Sequence, residues 1–209
     1  MRKVLATYTP EQLTEIQTYV ANNFGSNKTD YIAHEVESEY IHTDVLIVDN
    51  QADLKVFASI GMGAKKINSP IDGFQNIELM GLASEKLDVK SEESLVIAGE
   101  LTRLTKFPFS ENTWFGPGHT VNVSEEFHKT FGYDYFLFTY SGFSLEVSDI
   151  GNINYLTLIP LYENERNYIV KNGDNELLEK LIKKYGADMF ALGKPRKSII
   201  KKTNSDASV

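Results

Sequence analysis

The sequence predicts an α+β fold in which a central mixed, largely antiparallel sheet is flanked by helices. Strand-like segments come first, one long helix interrupts them, more strands follow, and two helices close the chain. This order is typical of segregated strands and helices and differs from regular β–α alternation. The chain has 209 residues, enough for one sizeable core. We expect one domain over residues 1–193 and a basic, disordered tail over residues 194–209.

The first helix is indicated by its start and by its apolar face. Thr9 is a candidate N-cap, Pro10 suits the first helical position, and Gln12 completes a capping box. Apolar residues then recur at helical spacing: Leu13, Ile16, Val20 and Phe24. Gly25 is expected to end this helix.

Four strand-like segments follow the first helix. They are YIAHEV (31–36), TDVLIVDN (43–50), LKVFASIGM (54–62) and NIELMGLAS (76–84). The continuous apolar run from Val45 to Val48 is typical of a strand that is buried on both faces. Asp49 to Asp53 has the composition of a hairpin turn.

The second half begins with a predicted helix over residues 91–106, capped by Ser91 and ended by Pro108. Its inner face is expected to hold Leu95, Ala98, Leu101, Leu104 and Thr105. Three further strands are HTVNVS (119–124), YDYFLFTYS (133–141) and INYLTLIPLY (153–162). Two helices near 163–170 and 174–185 follow, the second capped by Asp174 with a buried stripe of Leu177, Leu178, Leu181, Ile182 and Tyr185.

The composition limits the cellular compartment and the kinds of chemical site that we expect for this protein. There are no cysteines, which excludes disulfides, thiolate metal sites and a cysteine nucleophile. No run approaches the roughly 18 apolar residues of a membrane span, and MRKVLATYTP lacks the apolar stretch of a secretory signal. We expect a cytoplasmic protein that does not bind membranes.

The protein has a net negative charge that is distributed unevenly along the chain. The net charge is −8, and the tail carries five basic residues against Asp206, which leaves −12 for residues 1–193. An acidic body argues against nucleic-acid binding and suits a basic protein partner. The same charge also suits an ordinary solvated surface.

Catalytic motifs are missing. The chain has no GxSxG elbow and no SxxK motif. GMGAKK has neither the spacing of a Walker loop nor the third glycine of a dinucleotide fingerprint, so Gly61 and Gly63 are interpreted as turn positions. We expect no cofactor and no small-molecule substrate.

The histidines leave one enzymatic alternative. His34 lies next to Glu35, and His42 and Asp44 would share one face of a strand. Together with His119 they could serve a metal-dependent hydrolase, or they could be hydrogen-bonded histidines near a sheet edge. No second ligand pair has a recognised spacing, so no metal is predicted.

Two surface features are candidates for binding a partner. Glu35, Glu37 and Glu39 alternate, so they could form one acidic face that either docks a basic partner or blunts a strand edge. SENTWFGPGHT (110–120) joins Trp114 to two glycines and a proline, which indicates either a rigid corner or an aromatic anchor.

Five segments occur in a familiar order: HEVESEYIHTDVLIV (34–48), VFASIGMG (56–63), IELMGLAS (77–84), LTRLTKFPFSENTWFGPGHTV (101–121) and INYLTLIPLYENERNYIV (153–170). Together they resemble the suppressor of fused domain family over roughly residues 30–190. The resemblance implies the fold of that family's N-terminal domain. Its animal members are two-domain regulators that hold a transcription factor of the Hedgehog pathway through an inserted extended peptide, and this chain is similar only to their first domain.

Single-domain relatives of this kind are typical of bacteria, where many are regarded as immunity proteins. The resemblance therefore implies a non-catalytic antitoxin that binds and neutralises a cognate polymorphic toxin, with a basic toxin domain as partner. A peptide-binding scaffold or regulator is the alternative. No catalytic set carries over from the family. Its recurrent positions are expected to build the fold: Gly61, Met62, Glu78, Trp114, Gly116 and His119.

Overall fold

The structure, a computed structural model, describes residues 6–24, 29–32, 40–50, 54–84 and 86–201. The described strands are β1 (Thr29–Ile32), β2 (Asp44–Asn50), β3 (Leu54–Ile60), β4 (Ile77–Ser84), β5 (Thr120–Asn122), β6 (Tyr135–Val147) and β7 (Gly151–Leu161). The described helices are α1 (Pro10–Phe24), α2 (Glu92–Ser110), α3 (Glu125–Phe131), α4 (Glu163–Asn172) and α5 (Asn175–Tyr185).

The seven described strands form one sheet in the order β1-β2-β3-β4-β7-β6-β5. Neighbouring strands are antiparallel except β4 and β7, which pair in parallel with Ile77 opposite Asn154. The predicted mixed, largely antiparallel sheet is confirmed. Within the described sheet, β1 and β5 are the edge strands.

Helices cover both faces of the sheet. Along β7, Leu156 and Leu158 join one core cluster with α2 and α3. The residues that alternate with them along the strand point to the opposite face. There, Tyr155 packs in the cluster of α1, and Ile159 packs in the cluster of α4 and α5. Because strand side chains alternate between faces, both sets of β7 side chains are covered, and its residues from Ile153 to Leu161 are all buried, with Asn154 and Thr157 as the polar exceptions.

The start of α1 has the predicted capping box. The N–H of Thr9 donates to Oε1 of Gln12 over 2.9 Å, and the N–H of Gln12 donates to Oγ1 of Thr9 over 3.3 Å. Ile16, Val20 and Phe24 are buried against the sheet. The double-faced run from Val45 to Val48 is also confirmed, since all four residues are buried.

α2 corrects two predictions. It continues through Pro108 to Ser110, because the N–H groups of Glu111 and Thr113 still find acceptors at Phe107 and Pro108. Leu95 was predicted on the inner face, yet it is 48% exposed. The buried face of α2 is centred instead on residues such as Ile97, Leu101 and Leu104.

The C-terminal part brings further corrections. α3 was not predicted, and β6 extends to Val147, beyond the predicted end at residue 141. Ile182 is 57% exposed although it was placed in the buried stripe of α5, whose buried residues are Leu177 and Leu181. Asp174 occupies the N-cap position of α5, but its side chain makes no capping hydrogen bond.

Disorder was expected from residue 194 onward, but Arg196 is only 9% exposed and is bound to Glu165. The buried ion pair binds the segment after residue 193 to the domain. The last eight residues lie outside the described residues, so the expected disorder there stays a prediction.

Candidate functional site

An open cleft of about 330 Å³ lies beside the edge strand β5. Its lining includes Asn122 of β5, Glu125 and His128 of α3, Asp134, and Glu163 at the start of α4. None of the lining residues is lysine or arginine. The cleft therefore presents three carboxyl groups to solvent, and an arrangement of this kind attracts cationic groups.

Local helix signals place two of these carboxylates. Ser124 caps α3, since its Oγ accepts the N–H of Phe127 over 3.1 Å, so Glu125 becomes the first helical residue. Glu163 is the first residue of α4. Acidic side chains are favoured in a first helical turn because they face the positive end of the helix dipole.

Asp134 connects these two helix starts. Its Oδ2 accepts the N–H of Glu163 over 2.9 Å, and its Oδ1 lies 3.3 Å from Nδ1 of His128. The same Nδ1 lies 2.8 Å from the carbonyl oxygen of Tyr133. Glu125 pairs with Lys129 over 2.6 Å, but both side chains are largely exposed, so this pair neutralises the cleft only weakly.

Glu78, a predicted family position, has no exposed surface. Its Oε1 accepts hydrogen bonds from the hydroxyl of Tyr8 (2.7 Å) and from the N–H groups of Gly61 (2.8 Å) and Gly63 (3.0 Å). Its Oε2 accepts the hydroxyl of Ser59 over 2.5 Å. Burial raises the pKa of Glu78, while the hydrogen bonds from Ser59, the two glycines and Tyr8 act to lower it.

The two glycines of the IGMG motif (60–63) lie against the Glu78 carboxyl group and its neighbours, where a larger residue does not fit. Gly61 has φ +138°, and a Cβ there would lie 2.0 Å from the carbonyl oxygen of His42. A Cβ at Gly63 would lie 2.4 Å from the hydroxyl of Tyr8. Met62 between them is fully buried. These contacts support the interpretation that Gly61, Met62 and Glu78 build the fold.

The loop of residues 110–120 packs on itself and on β6. The rings of Trp114 and His119 lie 4.1 Å apart, and a Cβ at Gly116 would come within 2.6 Å of the Trp114 ring. The N–H of Gly118 donates to the carbonyl oxygen of Phe138, and the carbonyl oxygen of His119 accepts the N–H of Phe138. These contacts support a structural corner, and they place His119 against Trp114.

The histidine alternative gains only one of its expected contacts. Nε2 of His42 lies 3.1 Å from Oδ2 of Asp44, as their spacing predicted. His119 does not join them, because the described residues contain no group of three or more potential metal ligands. The predicted partner-binding residues Glu35, Glu37 and Glu39, like His34, lie outside the residues that the structure describes.

Sequence reasoning missed both the cleft and a buried ion pair. Signals for the cleft were present, since Ser124 followed by two glutamates, with Phe127 and Phe131 four apart, indicates a short capped helix. The ion pair joins Arg196 to Glu165 over 2.7 Å. Nothing local indicates it, because 31 residues separate the partners.

No helix among the described residues is long and apolar enough to cross a membrane.

Solved structures with a similar fold are suppressor of fused proteins. A chain of "the Sufu-Fu complex crystal structure" superposes with a TM-score of 0.63 at 10% identity, covering 88% of this chain and 90% of that one. The crystal structure of Drosophila Suppressor of Fused gives a TM-score of 0.61 at 10% identity and covers 87% of this chain. This chain spans about half of the Drosophila chain, 49%. Comparison with curated proteins gives no significant match.

The family model described as "Suppressor of fused protein (SUFU)" matches residues 39–194. This range contains β2 to β7, α2 to α5 and the acidic cleft. It also contains the predicted family positions from Gly61 to His119. The chain therefore belongs to the suppressor of fused protein family.

Proposed function

We propose that the protein is a non-catalytic, cytoplasmic protein-binding domain of bacterial immunity type, which neutralises a basic toxin domain by stoichiometric binding. The observation that carries this proposal is the acidic cleft beside β5. Its carboxyl groups on Glu125, Asp134 and Glu163 are presented without a lysine or arginine in the lining. A cleft of one sign complements a partner of the opposite sign.

The overall charge supports the same reading. The net charge of −8 would speed encounter with a basic protein, because opposite charges steer association. Membership of the suppressor of fused family supports a protein partner, since one solved structure of similar fold is titled as a complex of Sufu with Fu. No small molecule, cofactor or nucleic acid is invoked in this proposal.

A non-catalytic role is supported by the placement of the residues of the enzymatic alternative and by the burial of the family position Glu78. His119 packs on Trp114 and does not join His42 and Asp44 in a ligand group within the described part of the chain. Glu78 is fully buried and saturated with hydrogen bonds. None of these residues lines the acidic cleft.

The test uses charge reversal with a matched control. Glu125→Lys combined with Glu163→Lys reverses two cleft charges at first helical positions. Glu92→Lys is the control, because Glu92 is also exposed and is also the first residue of a serine-capped helix. Each tagged protein is used to purify partners from cells of the source and is then co-expressed with the captured protein.

The proposal expects a basic protein that stops growth when expressed alone. The wild type and Glu92→Lys should bind it and restore growth, and the double reversal should do neither. If the double-reversal protein captured the same partner as the wild type, the cleft would not be the binding site. A partner whose expression alone is harmless would remove the immunity role.

A second candidate is a scaffold that binds an extended peptide at the edge of β5. The pairings of His119 and Val123 with β6 direct the backbone groups of Thr120 and Asn122 away from that strand. Arg103 already donates to the carbonyl oxygen of Asn122, which leaves a short edge. A synthetic peptide sufficient for binding would favour this candidate, whereas a requirement for a folded toxin domain would favour the first.

A further inference from the structure

The segment of residues 194–201 lies in a groove that we call the tyrosine groove, formed by Tyr133, Tyr162, Asn164, Glu165 and Tyr185. The segment forms neither helix nor strand. The groove lies within the matched residues 39–194, and all but the first residue of the segment follow them. The domain thus holds an irregular peptide segment that follows the matched residues.

Arg196 is the most deeply buried side chain of the segment. Arg196 makes a bidentate pair with Glu165, its Nη1 and Nη2 lying 2.7 and 2.8 Å from the two carboxylate oxygens. Nη2 also donates to the carbonyl oxygen of Pro160 over 2.8 Å. The guanidinium lies 5.5 to 5.9 Å from the centres of three tyrosine rings: Tyr133, Tyr162 and Tyr185.

This pocket selects arginine over lysine. A planar fork is needed to engage both oxygens of Glu165 together, and a guanidinium also stacks on aromatic rings. A lysine ammonium is a single point charge that cannot form the same pair of parallel bonds. Glu165 has no exposed surface, so an occupant that left it unpaired would bury an uncompensated charge.

Most of the other hydrogen bonds are made with the backbone of the segment, while Ser198 donates its hydroxyl to Asn164, and Ile199 and Ile200 pack on the apolar cluster of α4 and α5. The hydroxyl of Tyr133 donates to the carbonyl oxygen of Lys194 and accepts the N–H of Arg196. The hydroxyl of Tyr162 donates to the carbonyl oxygen of Arg196. Further contacts hold the backbone of the next residues: Tyr185 with Lys197, Glu165 with Ile199, and Asn164 with Ile200. Hydrogen bonds to peptide backbone place little demand on the sequence of the bound segment.

We infer that the tyrosine groove is a binding site for an arginine-bearing peptide of a partner protein, and that residues 194–201 occupy it in cis. Because the segment is tethered beside the groove, a partner peptide binds only when the segment leaves. The site goes beyond the proposed function and uses none of the three cleft carboxylates.

The test measures binding of a labelled peptide of residues 194–201, KPRKSIIK, to full-length proteins by fluorescence anisotropy. Arg196→Ala should bind the peptide at least about tenfold more tightly than the wild type, because its own segment no longer fills the pocket. Lys194→Ala is the control, since the Lys194 ammonium pairs only with the exposed Asp188 among the described residues. It should bind like the wild type.

Peptide variants test what the groove recognises. Replacing the arginine of the peptide by lysine should weaken binding about tenfold, because the fork is lost. Replacing the lysine that corresponds to Lys197 by alanine should change the affinity less than about twofold, because only its carbonyl oxygen is bound. Glu125→Gln removes one cleft carboxylate on α3 and no groove residue, so it should change peptide binding less than about twofold, which separates this site from the cleft.

A folded Arg196→Ala protein that gains no affinity would overturn the inference, as would equal binding of the arginine and lysine peptides. If Arg196→Ala does not fold, Arg196→Lys takes its place, because it keeps a positive charge beside Glu165 and removes only the fork. That variant should gain at least about threefold in affinity over the wild type. Equal affinity of Arg196→Lys and wild type would overturn the inference in the same way.

Discussion

The hydroxyl of Tyr8 donates to Oε1 of Glu78 over 2.7 Å, although 70 residues separate the two along the chain. Tyr8 precedes the matched residues 39–194, and Glu78 lies inside them. Glu165 has the corresponding relationship with Arg196, which follows the matched residues. Two glutamates without exposed surface are therefore completed by residues on either side of the family-matched part.

Tyr8→Phe should lower the free energy of unfolding by about 1–3 kcal/mol, because it removes one of the hydrogen bonds that the buried Glu78 carboxyl group accepts. Urea unfolding followed by circular dichroism measures the loss. Tyr140→Phe is the control, since Tyr140 is 49% exposed, and it should change stability by less than about 0.5 kcal/mol. Equal losses for both variants would contradict a special role for the Tyr8 hydroxyl.

Gly63→Ala should destabilise the protein by about 1–3 kcal/mol, because its Cβ would lie 2.4 Å from the Tyr8 hydroxyl. In the Tyr8→Phe background the cost should shrink, since the closest atom is then absent. A double-mutant cycle in urea measures this coupling. Gly193→Ala, whose nearest neighbouring atom is 3.8 Å away, is the control. An unchanged cost in both backgrounds would locate the strain elsewhere.

Glu78→Gln should change how stability depends on pH. Burial raises the pKa of Glu78 in the folded protein, so the folded state holds this proton more tightly than the unfolded state. The resulting stabilisation is complete below the unfolded pKa and is lost as pH rises through the folded pKa. The wild type should therefore lose stability relative to Glu78→Gln as pH rises above the unfolded value, as urea unfolding of both proteins from acid to neutral pH would measure. A constant difference between the two would rule out a raised pKa.

Arg196→Met should cost about 3–5 kcal/mol of unfolding free energy, because it leaves the buried Glu165 carboxylate without its partner. Combining it with Glu165→Leu should recover part of that loss, since no buried charge then remains unpaired. Thermal or urea unfolding of the single and double variants measures this. Lys194→Met removes a surface pair and should cost no more than about 1 kcal/mol. A similar cost for both lysine and arginine variants would show that Arg196 is not an anchor.

Structural features that depend on residues close together in the sequence could be predicted from the sequence alone. The capping box of Thr9 and Gln12 and the cap of Ser91 were predictable, because the bonded groups lie three residues apart. The continuous apolar run from Val45 to Val48 predicted a strand that is buried on both faces, since such a strand carries apolar side chains on both sides. The order of strands and helices then predicted the α+β class.

Sequence patterns misplaced residues whose environment is set by neighbours far along the chain. The apolar Leu95 and Ile182 fit the helical stripes, but the packing of α2 and α5 leaves them exposed. Pro108 was predicted to end a helix, yet Glu111 and Thr113 continue the hydrogen bonding past it. Local propensity yields to tertiary packing at such positions.

By itself, the sequence determined the fold class, the caps of α1 and α2, the double-faced strand β2 and the family resemblance, because each depends on residues close together or on motif order. Only the tertiary structure brought Tyr8 to Glu78, Arg196 to Glu165, and Asp134 between the starts of α3 and α4. These pairs form because helices and strands pack together as whole elements, and this packing brings side chains into contact whatever their separation in sequence. The buried ion pair and the acidic cleft therefore appear only once the chain is folded.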